Sequence, residues 1–323
     1  MQIIVTCIKI KEIFYKLCIG IKEHAGNCVQ ARKRDFPMKL GITMEGGASR
    51  TMFSCGVTDA FLEENIMPDY FIGVSAGIAY GVSYLSRQKG RNLEIAQKYM
   101  ADKRYMGPRH LLNRKNRSYY NIPFVFDEIP NKLIPFDYDA FEQFSGKAVA
   151  TVTNIHTRKA EYLEVPRRDD KFEVLVASCA LPILFQPVKV GKRYYLDGGL
   201  SDSVPYKQAI KEGCDKNIVI LTRERGYVKT PERAGDVSRK LYRRYPKIAE
   251  DLMNRPEVYN QCLKELFEAE ERGEVFVIAP KTTMGVGRTE SNGEKLTALY
   301  EEGYRQAQEQ MEDLKRYLQE PNL

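Results

Sequence analysis

Apolar residues along this chain come in short runs separated by glycine turns and by stretches of helical spacing, a pattern that predicts alternating strands and helices. Residues 39 to 44 (KLGITM) form the first run and lead straight into Glu45-Gly46-Gly47-Ala48-Ser49-Arg50, the form of a strand entering a glycine turn. Met52, Phe53, Gly56, Val57, Ala60 and Phe61 then recur at helical spacing, and that helix is expected to end near Asn65 because Pro68 stops propagation. Tyr70-Phe71-Ile72 reads as a second strand running into Gly73-Val74-Ser75-Ala76-Gly77. The helix expected from Ile78 to Leu85 is small or apolar nearly all round, as in a helix buried against a sheet.

Prolines at 108, 123, 130 and 135 break any long element between residues 103 and 146, which reads as a lid-like or connecting region. Strand-like runs return at Ala148 to Val152, Ala160 to Val165, Val188 to Val190 and Tyr194 to Leu196, with a helix-like segment around 172 to 180 among them. The last of these strands enters Asp197-Gly198-Gly199. A helix at Val204 to Glu212 and a buried strand at Asn217 to Leu221 follow, so the expected fold is α/β, a mostly parallel central sheet flanked by helices on both faces. Beyond Arg225 the chain turns to charged helices (Gly235 to Arg244 and Lys247 to Arg272), one more strand at 274 to 279, and a final helix. Its stripe of Leu296, Leu299, Tyr300, Tyr304, Ala307, Met311, Leu314 and Leu318 reads as core packing. The expected division is an N-terminal extension at 1–37, an α/β domain at 38–225 and a mainly helical C-terminal extension at 226–323.

Composition excludes more than it selects. With 43% hydrophobic and 29% charged residues the chain is ordinary globular protein. Residues 1 to 37 hold seven Lys/Arg against three acids and so carry most of the formal charge of +7. Without tryptophan, or a basic stripe interleaved with stacking aromatics, no nucleic-acid partner is expected, while peripheral contact with an anionic membrane surface stays open. Seven cysteines without a CxxC pair imply reduced thiols in a cytoplasmic protein and no metal site. The apolar stretch from 3 to 21 is interrupted by Lys9, Lys11, Glu12 and Lys16, which suits neither a membrane span nor a signal peptide. Met38, just ahead of the first strand, is the expected start or boundary of the fold.

Gly73-Val74-Ser75-Ala76-Gly77 fits G-x-S-x-G, in which flanking glycines relieve crowding on a strained strand-to-helix turn that exposes a serine hydroxyl; the plainer alternative is a packing turn. A serine needs a base. Of the three histidines, only His156 could form a triad, through Asp127, Asp137 or Asp139, and it stands in a polar stretch with no motif around it. Asp197 is the better candidate, a carboxylate at a strand end followed by two glycines that permit close approach. The Gly46-Gly47-Ala48 loop at the mouth of the first helix can offer amides to a developing oxyanion, with Arg50 as a cation or structural tie. A dinucleotide loop is disfavoured because Ala48 and Thr51 stand where glycines would be.

In this order, a glycine-rich loop after the first strand, G-x-S-x-G after the second and DGG far downstream, the chain resembles the patatin-like phospholipase family over about residues 39 to 222. The run from Ala177 through Pro187 to Asp197 and Pro205 is similar to the family's small residues, proline and phenylalanine ahead of its aspartate. The resemblance implies a Ser75/Asp197 dyad without histidine, an oxyanion region at Gly46, Gly47, Ala48 and Arg50, no cofactor, and a lipid or other acyl ester as substrate. Glu45, Ala48 and Thr51 depart from the family's usual D-G-G-G-x-R-G. An esterase or thioesterase for small acyl substrates, or a non-catalytic lipid-binding module, are the alternatives.

Overall fold

The computed structural model describes residues 38–113, 117–230 and 245–320. The chain divides into two units, Met1–Met38 and Lys39–Leu323. The N-terminal extension expected at 1–37 and the helix expected at 235 to 244 lie outside the described residues.

In the second unit, β1 (Leu40–Met44) leads through a 3-10 turn (Ala48–Thr51) into α1 (Met52–Glu63), and β2 (Tyr70–Val74) leads into α2 (Ala76–Leu85) and α3 (Arg91–Tyr99). The proline-broken region forms a π-helical segment (Phe124–Leu133) and α4 (Tyr138–Gln143). Then come β3 (Lys147–Asn154), β4 (Ala160–Glu164), α5 (Glu173–Ser178), β5 (Val188–Val190), β6 (Arg193–Asp197), α6 (Tyr206–Lys211) and β7 (Lys216–Ile220). The C-terminal part supplies α7 (Pro246–Glu271), β8 (Phe276–Ile278), α8 (Gly293–Glu309) and α9 (Met311–Gln319).

Among the described residues the strands form one sheet in the order β5-β6-β3-β2-β1-β7-β8, with β4 also on β3. The five strands from β3 to β8 are parallel, and β4, β5 and β6 run antiparallel at one end. Every residue of β1 and β2 is buried, which is why these strands read as unbroken apolar runs rather than alternating ones. Along β7 the two faces separate: Ile218 and Ile220 pack with α1, α2, α3 and α8, whereas Val219 and Leu221 pack with Tyr259, Leu263 and Leu266 of α7. Helices therefore cover both faces of the sheet. The C-terminal part is built into this arrangement, since β8 extends the sheet beyond β7.

The last helix is not continuous. Its apolar stripe packs as core, with Tyr304 and Leu318 half-buried at its margin, but the helix breaks at Gln310, which ends α8 and starts α9. The Gln310 side chain donates to the Gln306 carbonyl at 3.2 Å, and Glu312 and Asp313 favour a new helix start through the macrodipole. Where α8 crosses α1 the backbones nearly touch. A Cβ on Gly303 would stand 2.0 Å from the Phe53 carbonyl oxygen, and one on Gly56 would stand 2.0 Å from that of Tyr300. Beside this crossing the Tyr300 hydroxyl donates to the buried Asp59 carboxylate at 2.6 Å.

Gly303→Ala is expected to destabilise the fold by about 3 kcal/mol, because two helix backbones must separate to admit one methyl group. Urea unfolding checks this against Gly287→Ala, where a Cβ meets nothing within 4 Å and the change should stay within about 0.5 kcal/mol.

Candidate active site

Ser75 ends β2 and caps α2 with φ 54° and ψ −126°, a left-handed strain that costs a non-glycine residue about 1–3 kcal/mol. The surroundings hold it there. Its amide donates to Ser178 Oγ at 2.8 Å, and that hydroxyl donates to the Thr151 carbonyl at 2.8 Å, tying the turn to α5 and β3. Both flanking glycines are steric requirements: a Cβ on Gly73 would lie 2.5 Å from the Ile78 nitrogen, and one on Gly77 would lie 2.3 Å from the Met44 oxygen.

Strand register brings Asp197 level with Ser75. Val74 pairs with Thr151 on one side of β3, and Asp197 pairs with Val152 on the other. Two strand spacings, about 10 Å of backbone separation, remain for the side chains to span. Both side chains line one cavity, and the Ser75 hydroxyl is near enough to the Asp197 carboxylate to favour its charged form. Asp197 is only 3% exposed. Burial pushes its carboxyl above the usual range, while the Ser75 hydroxyl, the Arg255 charge, the Gly199 amide (2.7 Å) and the Arg288 charge pull it back. A Cβ on Gly198 would lie 2.2 Å from the Thr151 oxygen, so the first glycine of the DGG run is needed for the strand end to pass β3.

The glycine loop after β1 closes the third side. A Cβ on Gly46 would meet the Val74 oxygen at 2.6 Å and the Ser75 Cβ at 2.9 Å, and one on Gly47 would meet Thr222 Oγ1 at 2.7 Å. Ala48 sits at φ 51°, the position a glycine would occupy without strain. The amides of Ser49 and Arg50 donate to the carbonyls of Arg288 and Gly47 at 3.2 Å each. Gly46, Gly47 and Ala48 line the same cavity as Ser75. Glu45 accounts for its own departure from the family pattern: its longer carboxylate accepts from the Thr222 amide (2.6 Å), the Thr222 hydroxyl (3.0 Å) and, across to α7, the Tyr259 hydroxyl (2.8 Å).

The cavity, about 160 Å³, opens at the carboxyl ends of β1 and β2, beside the point where the strand order reverses. One arm is mostly apolar, walled by Val82, Ile95, Phe126, Ile129, Phe136 and Leu175, with the buried Arg91 over the Phe136 ring at 5.5 Å. The proline-broken region expected to be lid-like supplies part of this wall. The other end is cationic, with Arg50, Arg223, Lys229, Arg255 and Arg288. Burial, then the charges of Arg223 and Arg288, lower the Arg50 guanidinium to about 10.

Several contributors had escaped the sequence reading. Ser178 and Cys179 stand near the start of the small-residue run; Cys179 lines the cavity with Ser75, and burial pushes its thiol so far up that it stays protonated at neutral pH. The residues at the cationic end beyond Arg50 have no local motif. The structure does not bring the alternative triad together. His156 is exposed with its ring against Tyr245 (5.7 Å between centroids), Asp137 caps α4 and Asp139 pairs with Arg168. None of the three lines the cavity, nor does Asp127.

A strained serine between strand and helix, a buried carboxylate near it and a glycine loop beside both define an α/β protein with a nucleophile elbow. The chain belongs to the patatin-like phospholipase family, whose model matches residues 42–210. A second model, a domain of unknown function (DUF6363), matches residues 245–319. The uncharacterized protein YjjU of Escherichia coli (strain K12) is 26% identical over 212 residues, 64% of this chain, and the chain spans 58% of that relative's length. The crystal structure of VipD from Legionella pneumophila is similar at 11% identity and a TM-score of 0.39, over 85% of this chain and 67% of that one.

Two stability effects are expected here. Ala48→Gly removes the left-handed strain and should raise stability by about 1 kcal/mol in a denaturant titration. Because the Asp197 carboxyl is raised in the folded chain, the stability it lends is fully present below the unfolded pKa of about 3.9 and is lost as pH rises through the folded value. Asp197→Asn should therefore melt at a higher temperature than the parent chain at pH 8, with the difference shrinking toward pH 4.

Proposed function

We propose that the protein is a lipid acyl-ester hydrolase, with Ser75 as nucleophile and Asp197 as its base. The observation that carries this reading is the strained Ser75 beside the buried Asp197 carboxylate, both lining a cavity with an apolar arm. Family membership supports it. Ser75 Oγ attacks the ester carbonyl carbon while its proton passes to Asp197, and the carbonyl oxygen gains the negative charge. The amides of Gly46, Gly47 and Ala48, at the start of the 3-10 turn that leads into α1, stabilise that charge without reorganising. Collapse expels the alkoxide, which takes the proton from Asp197 and leaves an acyl-serine. Water then attacks the acyl-serine, giving its proton to Asp197, and the fatty acid leaves as Ser75 recovers its hydrogen. A desolvated carboxylate with a raised pKa is a stronger base than an exposed one, and this lets aspartate act where other sites use histidine.

The apolar arm favours a fatty acyl chain over a short one. In this reading residues 38–225 carry the chemistry, and Tyr227, Lys229, Arg255, Tyr259 and Arg288 of the C-terminal part complete the cavity wall. No described helix is long and apolar enough to cross a membrane, and the enzyme would meet its lipid as a peripheral protein.

A fluorophosphonate probe should label the parent chain and fail to label Ser75→Ala; equal labelling of both would refute the assignment. Asp197→Asn should lower kcat by roughly 10³-fold. In the parent chain kcat/KM should rise with pH, with a midpoint above the ordinary aspartate value of about 3.9. A chain-length series of acyl esters should favour long chains.

A further inference from the structure

We infer that Arg91 makes the far end of the mostly apolar arm a carboxylate-binding subsite, so that the acyl groups taken best end in a carboxylate rather than a methyl group. The inference rests on the hydrolase reading and deepens it.

Arg91 is only 8% exposed and lines the cavity with Val82, Ile95, Ile129 and Phe136. Its Nη1 donates to Ser83 Oγ at 3.0 Å, its Nη2 donates to the Ile134 carbonyl at 2.9 Å, and its charge lies over the Phe136 ring at 5.5 Å. Its Nε is buried without a hydrogen-bond partner. Neither acceptor is a carboxylate. Glu94, on the next turn of α3, is half-exposed and paired with Lys98 at 2.6 Å. Burial lowers the Arg91 guanidinium only to about 10, so it stays charged at neutral pH.

Position adds to the cost of this cation. Arg91 is the first residue of α3, where the helix end is itself positive. A neutral amide could serve a hydroxyl and a carbonyl equally well, and neither acceptor needs a formal charge withdrawn from water at that end. A carboxylate supplies what is missing. It offsets the desolvated charge, suits the helix end, and accepts from Nε and a second guanidinium N–H in the planar geometry that arginine presents.

The same side chain is placed to meet the end of an acyl chain rather than its ester. Ser83, which holds Nη1, follows Ser75 by eight residues on α2. That is about 12 Å along the helix axis. An extended chain gains about 1.2 Å per bond, so about ten bonds cover the distance. The apolar walls then carry the methylene groups, and the distal carboxylate meets Arg91.

The test uses the full chain and monomeric p-nitrophenyl esters below their aggregation concentration. The half-ester of decanedioic acid is compared with its methyl-capped counterpart, which keeps the chain length and masks the distal charge. The parent should favour the free acid at least tenfold in kcat/KM, chiefly through KM, and the matching pair from hexanedioic acid, too short to reach, should show no such preference. Arg91→Gln, which keeps an amide for the Ile134 carbonyl, should cut the preference at least tenfold. A parent without the preference, or a preference that Arg91→Gln leaves alone, overturns the subsite. An equal preference in the hexanedioic pair places the anion at the cationic end instead and also overturns it. Should Arg91→Gln not fold, the length dependence in the parent decides by itself. Fluorophosphonate labelling reports separately on the hydrolase, so labelling without the preference spares the hydrolase and removes the subsite. If the native chain is not labelled the hydrolase reading falls; calorimetric binding of free decanedioate that Arg91→Gln weakens at least tenfold then upholds the subsite, and its absence overturns it.

Discussion

Register across β2, β3 and β6 is the constraint on which the site depends. Side chains two strands apart meet only if their strand ends are level, and here Val74 pairs with Thr151 while Val152 pairs with Asp197. A one-residue slip of β6 would turn Asp197 to the opposite face of the sheet. The pairing is secured by steric fit as well as by ladder hydrogen bonds. Gly198 lies against the Thr151 carbonyl, and the Thr153 hydroxyl donates to the Asp197 carbonyl at 2.8 Å. The Ser178 hydroxyl bridges the Ser75 amide to the Thr151 carbonyl from the other side. Thr151 is thus the shared reference for both members of the proposed dyad.

Much of the fold could be read from the chain because its signals are local. Buried parallel strands such as β1 and β2 appear as unbroken apolar runs, and the strained turn at Ser75 announces itself through Gly73 and Gly77, whose missing Cβ atoms the packing requires. The downstream DGG stands out for the same reason. What stayed hidden depends on contacts distant in sequence. Gly56 reads only as one small position of a helical face, and its contact with Gly303's helix shows only where α1 and α8 cross. The break at Gln310 leaves the apolar stripe intact, so periodicity runs straight through it. Arg223 and Arg288 are 65 positions apart and carry no motif.

The C-terminal part is the least legible and the most entangled. Its composition separates it from the α/β core, yet β8 joins the sheet, α8 packs on α1, and α7 covers the second face. Charge-rich helices suggest an appendage, because on α7 the buried positions, Tyr259, Leu263 and Leu266 among them, are outnumbered by exposed ones. Those few positions are enough to close the core.

Glu45 has a consequence for how such proteins can be altered. One carboxylate fastens the loop after β1 both to the end of β7 and to Tyr259 of α7, so its length is matched to the presence of that helix. Shortening it to aspartate would strand a phenol in the interior, and deleting α7 would strand a carboxylate. Residue 45 and the helix that receives it form a single inheritable unit, and a chimera that exchanged the C-terminal part with a relative would have to exchange the first residue of the glycine loop with it.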